Sequence, residues 1–313
     1  MLQGLTKKQF SPLDFMGKGS LTERVLALAL GEEPPSVSGD GHNWQEFTDT
    51  LQKVDVQNLR VVALGGGTGL SRVVGGDSRR DQWKEAPFSG LKEIFPKLHS
   101  VVCVTDDGGS TGEMLKDFPL IGLGDLRHVL LSSIRSSSLK ELYALSEQEA
   151  IKVAAALHSL FNCRFTSSPD SPGELWAESG VFPEIFPKPL ADYLSDLIWR
   201  LVGDQRMKTA LQKPQCLGNL LLAAAIYGKL PSFFRTSELI ANQKRMQSAI
   251  LEGISDLSLA LGAGKEAVLP CTLTPAQLQV LYANGVLVTG ESKAGVVKRG
   301  YPVERVTVCF SDE

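Results

Sequence analysis

Two short apolar runs, each ending in a glycine-rich loop, constrain this chain more than anything else in it. The first is VVALGGGTGLS at 61–71 and the second is VVCVTDDGGSTG at 101–112. Apolar runs without polar alternation, closing on glycines, are expected for parallel strands covered on both faces. Residues 60–64 and 100–104 are therefore expected as buried strands. A helical crossover should join them, interrupted at Gly75-Gly76 and Pro87. Ligands in such sheets gather at the carboxyl ends of the strands.

The GGGTG loop at 65–69 gives a backbone that can approach a ligand closely, with the start of a helix behind it to favour an anion. Thr68 and Ser71 could add hydroxyl donors. It is not a Walker loop, because the lysine and its neighbouring hydroxyl residue are missing, and it lacks the full GxGxxG context. A tight strand-to-helix turn without a ligand is the competing reading. The second loop places Asp106 and Asp107 before Gly108 and Gly109. Adjacent carboxylates are costly to bury without partners. They suit Mg²⁺, a ribose hydroxyl, or a hydrogen-bonded loop cap.

Three further segments offer polar groups at chain breaks. In GLGDLRH (122–128) Asp125 can cap a helix starting near Leu126, and Arg127 can grip a phosphate. His128 reads as a polar neighbour. In FNCRF (161–165) Arg164 can reach a phosphate while its stem packs on apolar surface, or enter an ordinary salt bridge. In LGNL (217–220) Gly218 permits close backbone approach, and Asn219 offers a donor and an acceptor; simple helix capping competes.

Composition narrows the partners. With 32 basic against 35 acidic side chains, the formal charge is −3, which gives no electrostatic case for nucleic acid or a membrane surface. No long apolar run marks a membrane span. The five cysteines form no CxxC pair and the four histidines are scattered, so free thiols in the cytoplasm are expected.

Residues 1–55 read as an appendage with a helix at 20–30, and 56–313 as the main domain. Helices are expected over Leu145–Leu160 with Ser146 as cap, Leu190–Val202, Cys216–Tyr227 and Ser237–Leu251. The stretch 166–188 is rich in Pro, Ser, Asp and Gly and reads as an excursion from the core. Asn284-Gly285 between apolar runs signals a C-terminal hairpin. RVTVCF (305–310) is the last strand, with an exposed edge that makes a homodimer an open expectation.

Taken in order, GGGTGLS, TDDGGSTG, GDLR (124–127), LFNCRF (160–165), LGNLLLAA (217–224), VLP (268–270) and VTGE (288–291) resemble the CofD/YvcK-like superfamily, closest to its gluconeogenesis-factor branch. The resemblance implies an α/β, Rossmann-like and mostly parallel sheet with flanking helices. It also implies a nucleotide-containing ligand. The gluconeogenesis-factor branch binds UDP-sugars and influences central metabolism, cell-envelope growth and cell shape. The related branch transfers a phospholactyl group from a guanosine diphosphate-linked donor with Mg²⁺. Carried over by motif, Gly66, Gly67, Thr68 and Gly69 cradle a diphosphate. Asp106 and Asp107 match the aspartate pair, catalytic and metal-binding if transfer occurs, and Gly108 and Gly109 follow them. Asp125 and Arg127 match the next turn, with His128 replacing the usual asparagine. Asn219 matches the asparagine of the LGN motif, and Gly218 and Arg164 complete the ligand set on the reading of their own segments given above. Gln215 and Cys216 stand where the family commonly has histidine and serine. The segment 166–214 is longer than the family connection and reads as an insertion or lid; the chain also ends early against the family pattern. The leading expectation is a nucleotide-sugar-binding regulator, and the alternative is an Mg²⁺-dependent transferase. The sequence leaves open which of them holds.

Overall fold

The computed structural model describes residues 56, 58–166, 168–296 and 301–310. The chain divides into two units, Met1–Leu59 and Arg60–Glu313, and all the regular elements described belong to the second. The appendage expected over 1–55, with its helix at 20–30, lies outside the described residues.

The strands are β1 (Arg60–Gly65), β2 (Lys97–Val102), β3 (Arg164–Phe165), β4 (Gln215–Cys216), β5 (Val268–Pro270), β6 (Ala276–Tyr282), β7 (Leu287–Thr289) and β8 (Val303–Phe310). They form three sheets. A parallel sheet has the order β1-β2-β5; β3 and β4 pair antiparallel; and an antiparallel sheet has the order β7-β6-β8. The expected C-terminal hairpin is present as β6 and β7, turning through Asn284-Gly285 with Gly285 at φ 82°. The sheet is not mostly parallel, however, and the molecule is dominated by helix. After β5 the chain enters the antiparallel sheet in which β6 pairs with β7 on one side and β8 on the other. β1 is an edge strand with Val62 55% and Leu64 75% exposed, where a strand covered on both faces was expected.

The helices that matter for the site are α1 (Gly67–Gly75), α2 (Gly109–Leu115), α3 (Gly124–Ser132), α4 (Glu147–Asn162), α5 (Lys188–Gly203), α6 (Leu217–Tyr227), α7 (Gln243–Ala260) and α8 (Glu291–Val296). The core is built around α6, whose eleven residues are all buried. It packs against α7, α5 and α4. α4 starts where Ser146 and Glu149 form a reciprocal capping box, as the sequence predicts. α5 buries Leu190, Leu194, Leu197, Ile198 and Leu201, a stripe at helical spacing. The helix expected over 237–251 is broken at Asn242, whose side chain accepts from the Arg245 amide and restarts the chain as α7. The stretch 166–188 is not a coil excursion. It contains a helix at Pro172–Ser179 and places Leu175, Trp176, Val181 and Phe186 in the core.

Candidate functional site

β1 and β2 lie side by side and in parallel register to their last residues, Gly65 and Val102. The Cys103 amide extends the pairing by donating to the Gly65 carbonyl at 2.9 Å. The two glycine loops therefore leave the sheet together. The first runs directly into α1. Its Gly67 amide bonds to the carboxylate of Asp125. The approach is so close that a β-carbon on Gly67 would fall 2.2 Å from Asp125 Oδ1. Asp125 was expected to cap its own helix. Instead Leu123 occupies the N-cap position of α3, and Asp125, in the first turn, holds the neighbouring loop. Thr68 accepts a hydrogen bond from Arg79 Nη1 at 2.8 Å. Gly66, Thr68 and Gly69 remain exposed.

The second loop is tied down by its own aspartates. Asp106 Oδ1 accepts from the Gly108 amide at 3.0 Å, and Oδ2 accepts from Thr111 Oγ1 at 2.7 Å. Asn219 Nδ2 donates to the same Thr111 oxygen at 3.4 Å. Asp106 and Asn219, far apart in sequence, are thus joined through one hydroxyl. Asp107 Oδ1 accepts from the Ser292 amide at 2.9 Å. Gly290, with φ 105°, brings α8 so close that a β-carbon there would lie 2.4 Å from Asp107 Oδ2. Thr105 Oγ1 donates to Glu291 Oε2 at 3.1 Å.

Four carboxylates, Asp106, Asp107, Asp125 and Glu291, thus meet at the strand tips. Burial pushes the Glu291 carboxyl up, and the charges of Asp125, Asp106 and Asp107 push it further, against the Thr105 hydrogen bond. Burial also raises Asp125, with Asp106 adding to it and the Gly67 amide opposing. Mg²⁺ is commonly held by one or two carboxylates with phosphate and water, and Asp107 is the member of this set on the groove. Both oxygens of Asp106 are engaged by protein donors, and among the described residues no three His, Cys, Asp or Glu side chains are placed to hold a metal.

Beside this cluster runs a groove of about 530 Å³ lined by Asp107, Ser110, Lys116, Arg164 and Gln215 among others. α2 forms one wall, and β3 with the entry to β4 forms the other. Arg164 is exposed, with its backbone paired to Cys216 across β3 and β4. Lys116 pairs with Glu113 at 2.6 Å. Gln215 is buried. Its Oε1 accepts from Ser110 Oγ at 2.7 Å, while its Nε2 has no partner among the described residues. Ser110 Oγ in turn accepts from the Cys216 amide at 2.8 Å, which frees its hydroxyl hydrogen for Gln215 and fixes the amide orientation.

Arg127 is not in the groove but behind it. It is buried, donates to the Phe161 carbonyl at 2.8 Å, contacts Cys216 Sγ and bonds to His128 Nε2 at 2.8 Å. Burial first, and the Arg127 charge second, hold the His128 imidazole down to about 2, so it is neutral and accepts from Arg127. Gly218 serves packing here: a β-carbon would lie 2.2 Å from the Phe161 carbonyl oxygen. The structure therefore brings Asp106, Asp107, Asp125, Asn219 and the glycine loops together, with Arg164 on the groove and Arg127 in the scaffold. Lys116, Glu291 and Arg79 carry no motif signal of their own beyond Glu291 closing VTGE. The unsatisfied amide of Gln215 is a tertiary property that the sequence does not display.

A sequence profile described as 2-phospho-L-lactate transferase CofD matches residues 61–312. The chain belongs to the CofD family. Among curated relatives, a "putative gluconeogenesis factor" of Nostoc is 27% identical over 181 residues, covering 55% of this chain and 36% of that protein. One from Clostridium acetobutylicum is 33% identical over 86 residues, 28% of this chain and 16% of the relative. One from Deinococcus radiodurans is 33% identical over 128 residues, 38% and 24% respectively. The chain thus spans about a third or less of the length of these relatives. A crystal structure of a UPF0052 family member from Bacillus halodurans superposes with a TM-score of 0.40 at 21% identity, over 80% of this chain and 51% of the other. No helix among the described residues is long and apolar enough to cross a membrane.

Proposed function

We propose that this CofD-family chain binds a nucleoside-diphosphate-linked small molecule, with its phosphates in the groove, and transfers the linked phosphoryl group to an acceptor hydroxyl. The observation that carries this reading is the groove itself, which presents Arg164 and Lys116 beside the loop that bears Asp107. An arginine and a lysine on the same groove suit a diphosphate. In a Rossmann-like arrangement such a ligand lies at the carboxyl ends of the strands, where the two glycine loops converge. The segment 166–214 leaves through β3 and returns through β4, so both of its ends line the groove, while its helices pack into the core.

Each side chain then has a role. Asp106 holds the loop through Gly108 and Thr111. Asp107, in the groove, takes the proton of the acceptor hydroxyl as that oxygen attacks phosphorus. The bond to the nucleoside monophosphate breaks, and Arg164 and Lys116 stabilise the charge on the departing phosphate.

A second reading is supported by the relatives, which carry the name gluconeogenesis factor. In it the same groove binds a UDP-sugar in the cytoplasm without turnover and the complex regulates metabolism or envelope growth. Calorimetry with UDP-N-acetylglucosamine, UDP-glucose and GDP, together with an assay for nucleoside monophosphate release over donors and acceptor alcohols, separates the two. Transfer predicts release that D107N abolishes and binding that R164A weakens tenfold or more. Tight binding without release favours the regulator, and a folded protein that binds none of these ligands sinks both.

A further inference from the structure

We propose that Cys103 and Cys271 are a redox-sensitive pair that closes into a disulfide across the tips of β2 and β5. The parallel register of these strands ends at Val102 opposite Pro270, and the next residue on each is a cysteine. The Cys271 amide continues the ladder by donating to the Val102 carbonyl at 2.8 Å. Neighbouring strands lie about 4.8 Å apart, which falls within the roughly 4.4–6.8 Å between α-carbons that a disulfide spans. The two side chains follow an in-register strand pair, and the Cys271 thiol senses Cys103 as a neighbouring titratable group. Cys271 is exposed and Cys103 half-buried, so a small oxidant has access.

The oxidant class is a hydroperoxide. Cys271 Sγ attacks a peroxide oxygen, the O–O bond breaks, and sulfenic acid and water form. Cys103 Sγ then displaces the hydroxyl from that sulfur. The S–S bond forms, and the hydroxyl leaves with the Cys103 proton as a second water. Two electrons pass from the sulfurs to one hydrogen peroxide. Burial and the neighbouring Cys103 raise the Cys271 thiol, so closure should quicken at alkaline pH.

Closure would act beside the candidate site. Cys103 Sγ lies 3.2 Å from Thr105 Oγ1, the hydroxyl that donates to Glu291. Cys271 opens the connection from β5 to β6, the route by which the chain reaches Gly290 and Glu291. A bond between the two sulfurs would pin that route to the loop carrying Asp106 and Asp107. A second neighbouring pair, Cys163 and Cys216, serves as an internal control. Cys216 is buried against Arg127 and Cys163 is half-buried, so this pair lacks the exposed sulfur that Cys271 offers an oxidant.

The test is brief hydrogen peroxide treatment of the full chain, alkylation of remaining thiols, and non-reducing peptide mapping by mass spectrometry. The expected product is an intramolecular peptide pair joining Cys103 to Cys271, two hydrogens lighter, reversed by dithiothreitol and absent from both C103S and C271S. Either serine variant suffices if the other does not fold. Sulfinic acid at Cys271 without a link, a link at Cys163–Cys216 instead, or only bonds between chains would overturn the proposal. The readout is independent of ligand binding and turnover, so it stands or fails apart from the proposed transfer activity.

Discussion

At the scale of single residues, the site is a set of close approaches that only small side chains permit. Gly67 and Gly69 belong to the same loop yet do opposite things. A β-carbon on Gly67 would meet Asp125 Oδ1 at 2.2 Å and the Asp125 α-carbon at 2.9 Å, so rotating the carboxylate does not relieve the clash. At Gly69 nothing lies within 4 Å, and the residue sits in the first turn of α1. G67A should therefore lower stability by ~1–3 kcal/mol through overpacking. G69A should raise it by up to ~0.5–1 kcal/mol, because alanine loses less entropy than glycine on entering a helix. Urea denaturation of the two variants checks this, and equal midpoints would contradict the Asp125 contact. The glycine loops and the aspartate pair were legible in the sequence because close backbone approach and adjacent carboxylates leave compositional marks. Gln215 was not, since a missing partner exists only once α2 and β4 have met. Arg127 was legible as a charge but not as a buried one: its partners, the Phe161 carbonyl and Cys216 sulfur, lie far along the chain.

At the scale of elements, the sequence misled where helix punctuation resembled loop. Ser171, Pro172 and Gly180 look like breakers. In the structure Ser171 accepts from the Glu174 amide, Pro172 starts the helix, and Gly180 ends it at φ 64°. The same chemistry was legible at Ser146, where an amphipathic run followed it immediately. The crossover between β1 and β2 holds a different surprise in the short helix Leu91–Ile94. Lys92 is buried there, donates to the Pro87 carbonyl at 2.6 Å and lies 5.6 Å from the Trp83 ring. Glu93 and Arg135 are the charges that face it. Burial brings its ammonium down from 10.5 to about 7. Between those values the unfolded chain holds a proton that the folded chain lacks, so stability rises with pH. The slope is at most about 1.4 kcal/mol per pH unit for one group. Above pH 9.0 the Cys163 thiol, raised to about 11, acts in the other direction, which makes pH 7 to 9 the window to use. Chemical denaturation across it should show rising stability in the parent and a flattened slope in K92M. An unchanged slope would remove Lys92 as its source.

At the scale of the whole molecule, two small sheets and a helical core converge where β1, β2 and the turn into α8 end. The converging groups are carboxylates, which is costly unless each finds a donor. Asp106, Asp107 and Asp125 take backbone amides, and Asp106 also takes the Thr111 hydroxyl; Glu291 has the Thr105 hydroxyl. That leaves Glu291 the member whose charge the fold compensates least, and its carboxyl is raised above the ordinary 4.5 by burial and by its three acidic neighbours. The sign of its effect follows. Above pH 4.5 the unfolded chain has released a proton that the folded chain still holds, so this group's contribution falls as pH rises through its folded value. Gln at this position can still accept from Thr105 but carries no charge. E291Q should therefore gain stability relative to the parent as pH rises from 4.5 toward 7, while the two converge at acid pH. Urea midpoints of both proteins across that range measure the gap. Curves that stay parallel would mean that the four carboxylates do not sense one another across the junction of the two sheets.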